Sequence, residues 1–476
     1  MSALLLSLAP GTTVHHDGGG QGIVTVRHRW GSTPAGPGGR PLAEALTALT
    51  RSPVALDDLT GRLPDTGVAL LQYCLDHLGH TLCHHATAAG TRPLATAVPL
   101  APEAAPRPGP LPLGAVTLDQ AAHLRPLDGT LVAESPRSRF RIRLDDARVA
   151  AVFAALTGPT MCGELPAAVP DLTENDLTAV LSILHIAGFL HPVDGDGPGG
   201  AALPPGWSFH ELLAHDGSRA GLRDRLYGPV FPLRATEAPA PPVAPARPGR
   251  TIPLRRPDLD EARREDRTFT DVLESRTSVR AYGESPLTVD ELAGWLYRAA
   301  RVRTVLDARP EHDRPYAVTS RPYPSAGSAY ELELYVAVHR CAGLGRGLYH
   351  YDALAHALTV LPGGPAEVDA LVREGTAATG GPPPDVHVTV ASRFKRLSWK
   401  YAAHAYTLTL KNTGVLLQTL HLVATAMGLS GCILGGGDGE TPARAFGLRP
   451  HTEIPVGAFV LGGAAGRRLR QAAGDP

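Results

Sequence analysis

The segment R-P-Y-P-S-A-G-S-A-Y-E-L-E-L-Y-V-A-V, Arg321 to Val338, decides how the rest of the chain is read. Tyr330, Leu332, Val336 and Val338 stand at even intervals, the period of a strand with one apolar face, and Glu331 and Glu333 place polar groups on the other face. Pro324-Ser325-Ala326-Gly327, just ahead, is turn chemistry. A turn delivered by a buried strand often holds a ligand, although an ordinary tight turn has the same composition.

Outward from this stretch the elements alternate. Downstream, Gly345 to Asp352 and Ala357 to Leu361 read as a hairpin, Glu367 to Thr376 as a helix and Val386 to Ser392 as a strand. Tyr406 to Met427 is a long apolar helix that buries Leu408, Leu416, Leu417, Leu420, Val423 and Ala424, with Gly428 just past its end. Gly431-Cys432-Ile433-Leu434 leads into Gly435-Gly436-Gly437-Asp438, then a helix, Thr441 to Phe446, and a strand, Ile454 to Leu461. Upstream, Thr268 to Glu274 opens a helix. Thr288 with Glu291 forms a capping box for another, whose buried face is Leu292, Trp295, Leu296 and Ala299. This order describes an α+β domain over 268–476, its sheet sandwiched by helices.

A proline-alanine stretch, Ala235 to Arg250, precedes that domain and reads as a semi-extended linker, 235–267, without a packable face. Ahead of it lies an internal repeat. Leu42 to Leu49, Asp57 to Leu63 and Val68 to Leu78 return as Val149 to Leu156, Glu164 to Ala168 and Thr173 to Ala187. Ile23 to Arg27 and Arg139 to Leu144 are strands, and His16 to Gly20 is a hairpin turn rather than a phosphate loop. Three helices with flanking strands suggest a winged-helix module used twice, over 1–130 and 131–234, the second copy including a connector from Phe209 to Leu226. The would-be recognition helices carry Leu70-Leu71-Gln72-Tyr73 and Thr178-Ala179-Val180-Leu181, which lack the basic charge of a DNA reader, so a structural or peptide-docking role is expected.

The bounds agree. A chain of 476 residues with net charge −1 has no bulk attraction to nucleic acid or to an anionic membrane. Five cysteines with no CxxC spacing make neither a disulfide framework nor a metal site. His77, His80, His84 and His85 read as surface histidines near a helix end rather than a metal cluster. Without a basic segment before the first apolar run, or any apolar run of spanning length, the expectation is a soluble cytoplasmic protein.

Two places carry chemistry. Arg276, Ser278 and Arg280 alternate, so in extended chain two guanidinium groups and a hydroxyl share one side, an arrangement that suits a phosphate or carboxylate. Lys400-Tyr401 sits at a strand-to-helix junction as a proton-handling pair, in which Lys400 either stays charged and favours the tyrosinate or acts as base itself. No nucleophile elbow or dinucleotide fingerprint is present.

Taken in order, these motifs resemble the nitroreductase-like flavoproteins, and within them the SagB/ThcOx-type azoline dehydrogenases, from about Phe269 to Leu469. The resemblance implies that Arg276, Ser278 and Arg280 hold the phosphate and ribityl chain of FMN. It implies that Pro324, Ser325, Ala326 and Gly327 lie along the isoalloxazine, as do Gly435 and Gly436. The resemblance further implies that Gly414 and Gln418 belong to the helix written G-x-x-x-Q-N, that Arg467 and Arg468 supply a terminal phosphate contact, and that Lys400 and Tyr401 are the proton-abstracting pair. Thr419 and His404 depart from the subgroup, which has Asn and Arg there. The implied reaction oxidises peptide thiazolines, or oxazolines, to azoles during maturation of a ribosomally made peptide such as a thiopeptide. A base takes the proton of the former Cα and hydride leaves the former Cβ for the flavin. The implied partners are an azoline-containing precursor peptide, a cyclodehydratase complex and a second copy of the chain. The alternative is an NAD(P)H-dependent nitroreductase or quinone reductase.

Overall fold

The computed structural model describes residues 4–17, 22–37, 39–61, 63, 65–88, 92–193, 199–220, 224–312 and 314–464. The chain divides into two compact units, Met1–Arg225 and Leu226–Pro476.

In the first unit the repeat is visible as topology. Leu5–Leu8 is flanked by Val54–Ala55 and Leu82–Ala88, with helices Gly39–Arg51, Leu56–Thr60 and Asp65–His77 between its strands in sequence. Ala115–Leu118 is flanked in the same way by Thr160–Met161 and Leu190–Pro192, with helices Val149–Ala155, Leu165–Ala168 and Glu174–Ile186. The second copy therefore begins before residue 131, where the sequence placed its start. Its central strand is four residues long and pairs only with distant partners, so no local pattern announces it. The two copies form separate sheets, but not equal ones: the second keeps three strands, and strands that follow Ala115–Leu118 in sequence join the first copy's sheet. The first extends through Arg92–Pro99 and Phe140–Leu144 to Thr130–Glu134 and the edge strand His123–Leu127, seven strands in all. The early hairpin is present as Thr13–His16 paired with Ile23–His28, while its tip, Gly18 to Gly20, lies outside the described residues.

His84 and His85 correct the surface reading. Both are buried in the strand Leu82–Ala88, and burial, with the charge of His85 beside it, pushes the His84 imidazole down to about 4. Among the described residues no group of three or more His, Cys, Asp or Glu could hold a metal ion.

The second unit is built on a seven-stranded antiparallel sheet. Its spatial order is Thr251–Pro253, Ala357–Val360, Gly347–Asp352, Leu332–Val338, Val386–Ser392, Ile454–Gly462 and Ser430–Leu434. One face packs on helices Val289–Ala300 and Ala405–Ala426, where Trp295 is fully buried and its indole N–H donates to the Leu420 carbonyl at 2.9 Å. The other face packs on helix Pro365–Thr379 through Leu371 and Val372 against Tyr335, Ala337 and Ala391. The expected α+β sandwich is this arrangement. Covered on both faces, Leu332–Val338 is buried at every position, so Glu333 lies inside rather than on a polar face. Its carboxylate is matched by His350 at 3.2 Å and Arg393 at 3.0 Å.

The proline-alanine stretch is not a free linker. It belongs to the second unit, and Thr251–Pro253 joins the sheet edge beside Ala357–Val360. Proline removes a donor but keeps its carbonyl, so such a strap serves as a row of acceptors. Accordingly the carbonyls of Glu237, Ala240 and Pro241 receive the Trp399 indole N–H at 2.8 Å, the Arg396 guanidinium at 2.6 Å and the Arg393 guanidinium at 2.9 Å.

Asp385 joins segments of this unit that are far apart in sequence. Its fully buried carboxylate accepts the backbone N–H groups of Leu287 at 2.8 Å and Gly463 at 2.9 Å, and pairs with Arg340. Asp385→Ala leaves buried donors unpaired at about 1–3 kcal/mol each. Urea titration should show a loss of at least about 2 kcal/mol in unfolding free energy, and an unchanged midpoint would contradict this role.

Candidate active site

The turn ahead of the central strand is held by a single helix side chain. Asn412, buried in the helix Ala405–Ala426, accepts the Ala326 N–H at 3.1 Å through its carbonyl oxygen. Its amide nitrogen donates to Ser325 Oγ at 3.2 Å and to the Glu331 carboxyl at 2.9 Å. Ser325 Oγ also accepts the Tyr330 N–H at 3.0 Å and donates to Glu331 at 3.3 Å, so its hydroxyl is fully occupied inside the turn. Burial raises the pKa of Glu331, and the hydrogen bonds from Asn412 and Ser325, with the charge of Arg321, oppose the rise. So fastened, the turn carries three left-handed residues, Gly327 at φ +57, Ser328 at φ +54 and Tyr330 at φ +47. Strained backbone of this kind persists only where its surroundings over-determine it.

Gly327 is where the expected catalytic pair arrives. A Cβ built on it would lie 2.5 Å from Lys400 Nζ and 2.6 Å from Tyr401 Oη, so both tips converge on one point above an exposed glycine. Lys400 and Tyr401, both half-buried, follow the short helix Lys395–Ser398. Lys400 Nζ donates to Tyr316 Oη at 2.8 Å, and Tyr316 donates to the Gly327 carbonyl at 2.9 Å. Phe231 and Trp399 pack around Tyr316. Tyr227 stacks on His404 at 4.4 Å between centroids, and His404 meets Tyr401 edge-on. Of the sequence-expected residues, Pro324 to Gly327, Lys400 and Tyr401 are thus brought together.

The other candidates lie elsewhere on the unit. Gly414, Gly435 and Gly436 line a cavity of about 450 Å³ with Tyr406, Leu410, Leu417 and the start of Ile454–Gly462. Asn412 and Gly414 stand roughly 160° apart around their helix. One side of that helix therefore holds the Gly327 turn, and nearly the opposite side opens on the glycine cavity. Arg276, Ser278 and Arg280 run in extended chain past the edge strand Ser430–Leu434, where the Val279 N–H donates to the Gly431 carbonyl at 3.0 Å and His421 holds the Thr277 carbonyl at 3.0 Å. A second cavity of about 210 Å³ lies here, lined by Ser275, Thr277, His421, Ser430 and Ala464. Gln418 is exposed one turn beyond Gly414, and Arg467 and Arg468 lie outside the described residues.

The glycine cavity fits a flat, polar-edged cofactor. A Cβ on Gly435 or Gly436 would meet no atom within 4 Å, leaving the backbone open to close approach. His387 (both ring nitrogens), Thr389 Oγ1 and Glu374 Oε2 are buried polar atoms of the lining without a hydrogen-bond partner. Burial pushes His387 down to about 4, which keeps its ring neutral, and burial raises the Glu374 carboxyl. The volume is within the range of cofactor sites.

Sequence reasoning missed Asn412, Tyr316 and Phe231. Asn412 had a signal, a polar residue in line with the apolar Leu416 and Leu420. Tyr316 and Phe231 come from irregular chain and meet Lys400 only in three dimensions.

Comparison with known proteins agrees with the division into units. Residues 273–463 match the Nitroreductase family, and residues 116–224 match the family described as cyanobactin oxidase ThcOx. A candidate nitroreductase of Methanocaldococcus jannaschii is 28% identical over 195 residues, covering 39% of this chain and 85% of its own length. Among solved structures, a candidate nitroreductase from Ralstonia eutropha is similar with 21% identity, 51% of this chain and 99% of that one, at a TM-score of 0.36. A chain of the E. coli microcin synthetase McbBCD complex with truncated pro-MccB17 bound shares 20% identity over 49% of this chain and 86% of that one, at a TM-score of 0.33. No described helix is long and apolar enough to cross a membrane. The second unit accordingly carries a nitroreductase-like flavoprotein fold, which points to an FMN-dependent oxidoreductase, and residues 116–224 ahead of it are similar to the cyanobactin oxidase family.

Proposed function

We propose that this chain oxidises thiazolines, and oxazolines, of a ribosomally made peptide to aromatic azoles. The observation that carries the reading is the convergence of Lys400 Nζ and Tyr401 Oη on the open backbone of Gly327. Removal of hydride from an azoline needs a base for the neighbouring proton, and a generic quinone reductase needs none. Lys400 takes the proton of the former Cα. Tyr401, its hydroxyl beside the same point, orients the ring. When bound, FMN supplies the hydride acceptor. Gly435 and Gly436 would give it an open backbone to lie against, and Arg276, Ser278 and Arg280, with Arg467 and Arg468, would hold its phosphate and ribityl chain. Pro324 to Gly327 form the wall that faces the substrate.

This reading calls for two copies of the chain. The glycine cavity and the Gly327 turn lie on nearly opposite sides of one helix, so the turn of one copy faces the cavity of another. The helix supports this with Tyr406, Leu410 and Val415, large apolar residues that are 51%, 47% and 37% exposed. Phe269 on the neighbouring helix Phe269–Ser275 is 70% exposed. A helix that is apolar all round is ordinarily covered. The repeated, winged-helix-like elements of the first unit would dock the precursor peptide or the cyclodehydratase that makes the azoline.

The purified protein, incubated with an azoline peptide, should remove two hydrogens per ring by mass spectrometry, while Lys400→Ala keeps its flavin absorption and loses about 10²–10⁴-fold in rate. Oxidation by Lys400→Ala at the parent rate would sink the assignment. In Gly327→Ala, the new methyl sits on both reactive tips and the residue resists φ +57, so turnover should fall at least tenfold with flavin content retained. Leu410→Arg should convert a sedimenting dimer to monomers with reduced flavin. A parent protein that sediments as a monomer would remove the two-copy site.

A further inference from the structure

We infer that Tyr316 is a positioning residue that aims the lone pair of Lys400, a role that rests on reading Lys400 as the base. The direction of each hydrogen bond is forced. The Gly327 carbonyl can only accept, so the one phenolic proton of Tyr316 is committed to it at 2.9 Å. Toward Lys400, Tyr316 then offers only a lone pair, and the 2.8 Å contact has the lysine N–H as donor. An amine that donates to Tyr316 keeps its own lone pair on another side of nitrogen, and the point beside Gly327 is within reach of it. Tyr316 cannot protonate the lysine while its proton is held by the carbonyl, so it orients the base without quenching it.

The setting makes this arrangement rigid. Tyr316 is 3% exposed, its ring lies edge-on to Trp399 and Phe231, and the Arg396 guanidinium stands 5.3 Å from its centroid. Arg396 is itself fixed by the Ala329 carbonyl at 2.9 Å and the Ala240 carbonyl at 2.6 Å. Burial raises the pKa of Tyr316, opposed by Arg396 and Arg314, which keeps the hydroxyl protonated over the ordinary working range. The aromatic faces of Phe231, Tyr316 and Tyr401 lie 6.0, 5.2 and 5.3 Å from Lys400 Nζ. These rings enclose the nitrogen but give it no direction, which only the Tyr316 oxygen supplies.

Tyr316→Phe keeps the ring and removes the oxygen. The expected result is a fall of about tenfold in kcat for azoline oxidation with KM unchanged, flavin content unchanged, and Lys400 acylated by an amine-selective reagent at least threefold faster relative to Lys411. In a Lys400→Ala background, Tyr316→Phe should change the residual rate less than twofold, because it acts through the lysine. A kcat within twofold of the parent, losses that multiply in the double variant, or unaltered labelling of Lys400 would each overturn the role of Tyr316. If Tyr316→Phe unfolds or sheds flavin, the labelling comparison is made on Tyr316→Leu at the same pH, and equal labelling there also overturns it. Failure of the underlying reading is separate: it appears as parent-like oxidation by Lys400→Ala alone.

Discussion

One side-chain amide, that of Asn412, meets three groups of the Ser325–Glu331 turn at once, and the left-handed run inside that turn depends on it. Two of the left-handed residues, Ser328 and Tyr330, carry a Cβ, which costs roughly 1–2 kcal/mol apiece. Against this stand hydrogen bonds to the buried Glu331 carboxyl, each worth about 1.5–3 kcal/mol where the group is charged. The sums are comparable, so the turn is held rather than relaxed. What it delivers is the exposed Gly327 backbone at the tips of Lys400 and Tyr401.

The second constraint is helical geometry. The helix Ala405–Ala426 serves three surroundings with one cylinder: the sheet through Leu416 and Leu420, the turn through Asn412, and the glycine cavity through Leu410, Thr413, Gly414 and Leu417. Such a helix cannot show one clean apolar stripe. Its apolar residues spread around the axis because each side has something to cover.

Much of the second unit was legible in the sequence because its signals are local. The capping box at Thr288 and Glu291, the strand Val386–Ser392, the glycine past the long helix and the Lys400-Tyr401 junction all stand where periodicity and capping rules put them. What was not legible is what only long-range pairing decides. Glu333 reads as the outer face of a strand, and only the helix packed on that side makes it interior. Ala115–Leu118 is too short for its pattern to announce it. His84 and His85 follow a helix and look like its polar end, yet they enter a strand in the middle of a sheet. In the site, the residues named from motif order cover the two sides of the long helix, while Tyr316 and Phe231, which join the sides of the Lys400 cluster, belong to no periodic element.

The strap of carbonyls from Glu237 to Pro241 has a practical bearing on dissecting the protein. Composition invites a cut in the proline-alanine run, with the flavin domain taken from residue 268 onward. That fragment would lose the edge strand Thr251–Pro253, and would leave Arg393, Arg396 and the Trp399 indole, within seven residues of Lys400, without the acceptors that fix them. An excised domain that begins at Leu226 keeps them all. A low activity measured on the shorter piece would describe a damaged lysine loop, not the intrinsic chemistry of the fold.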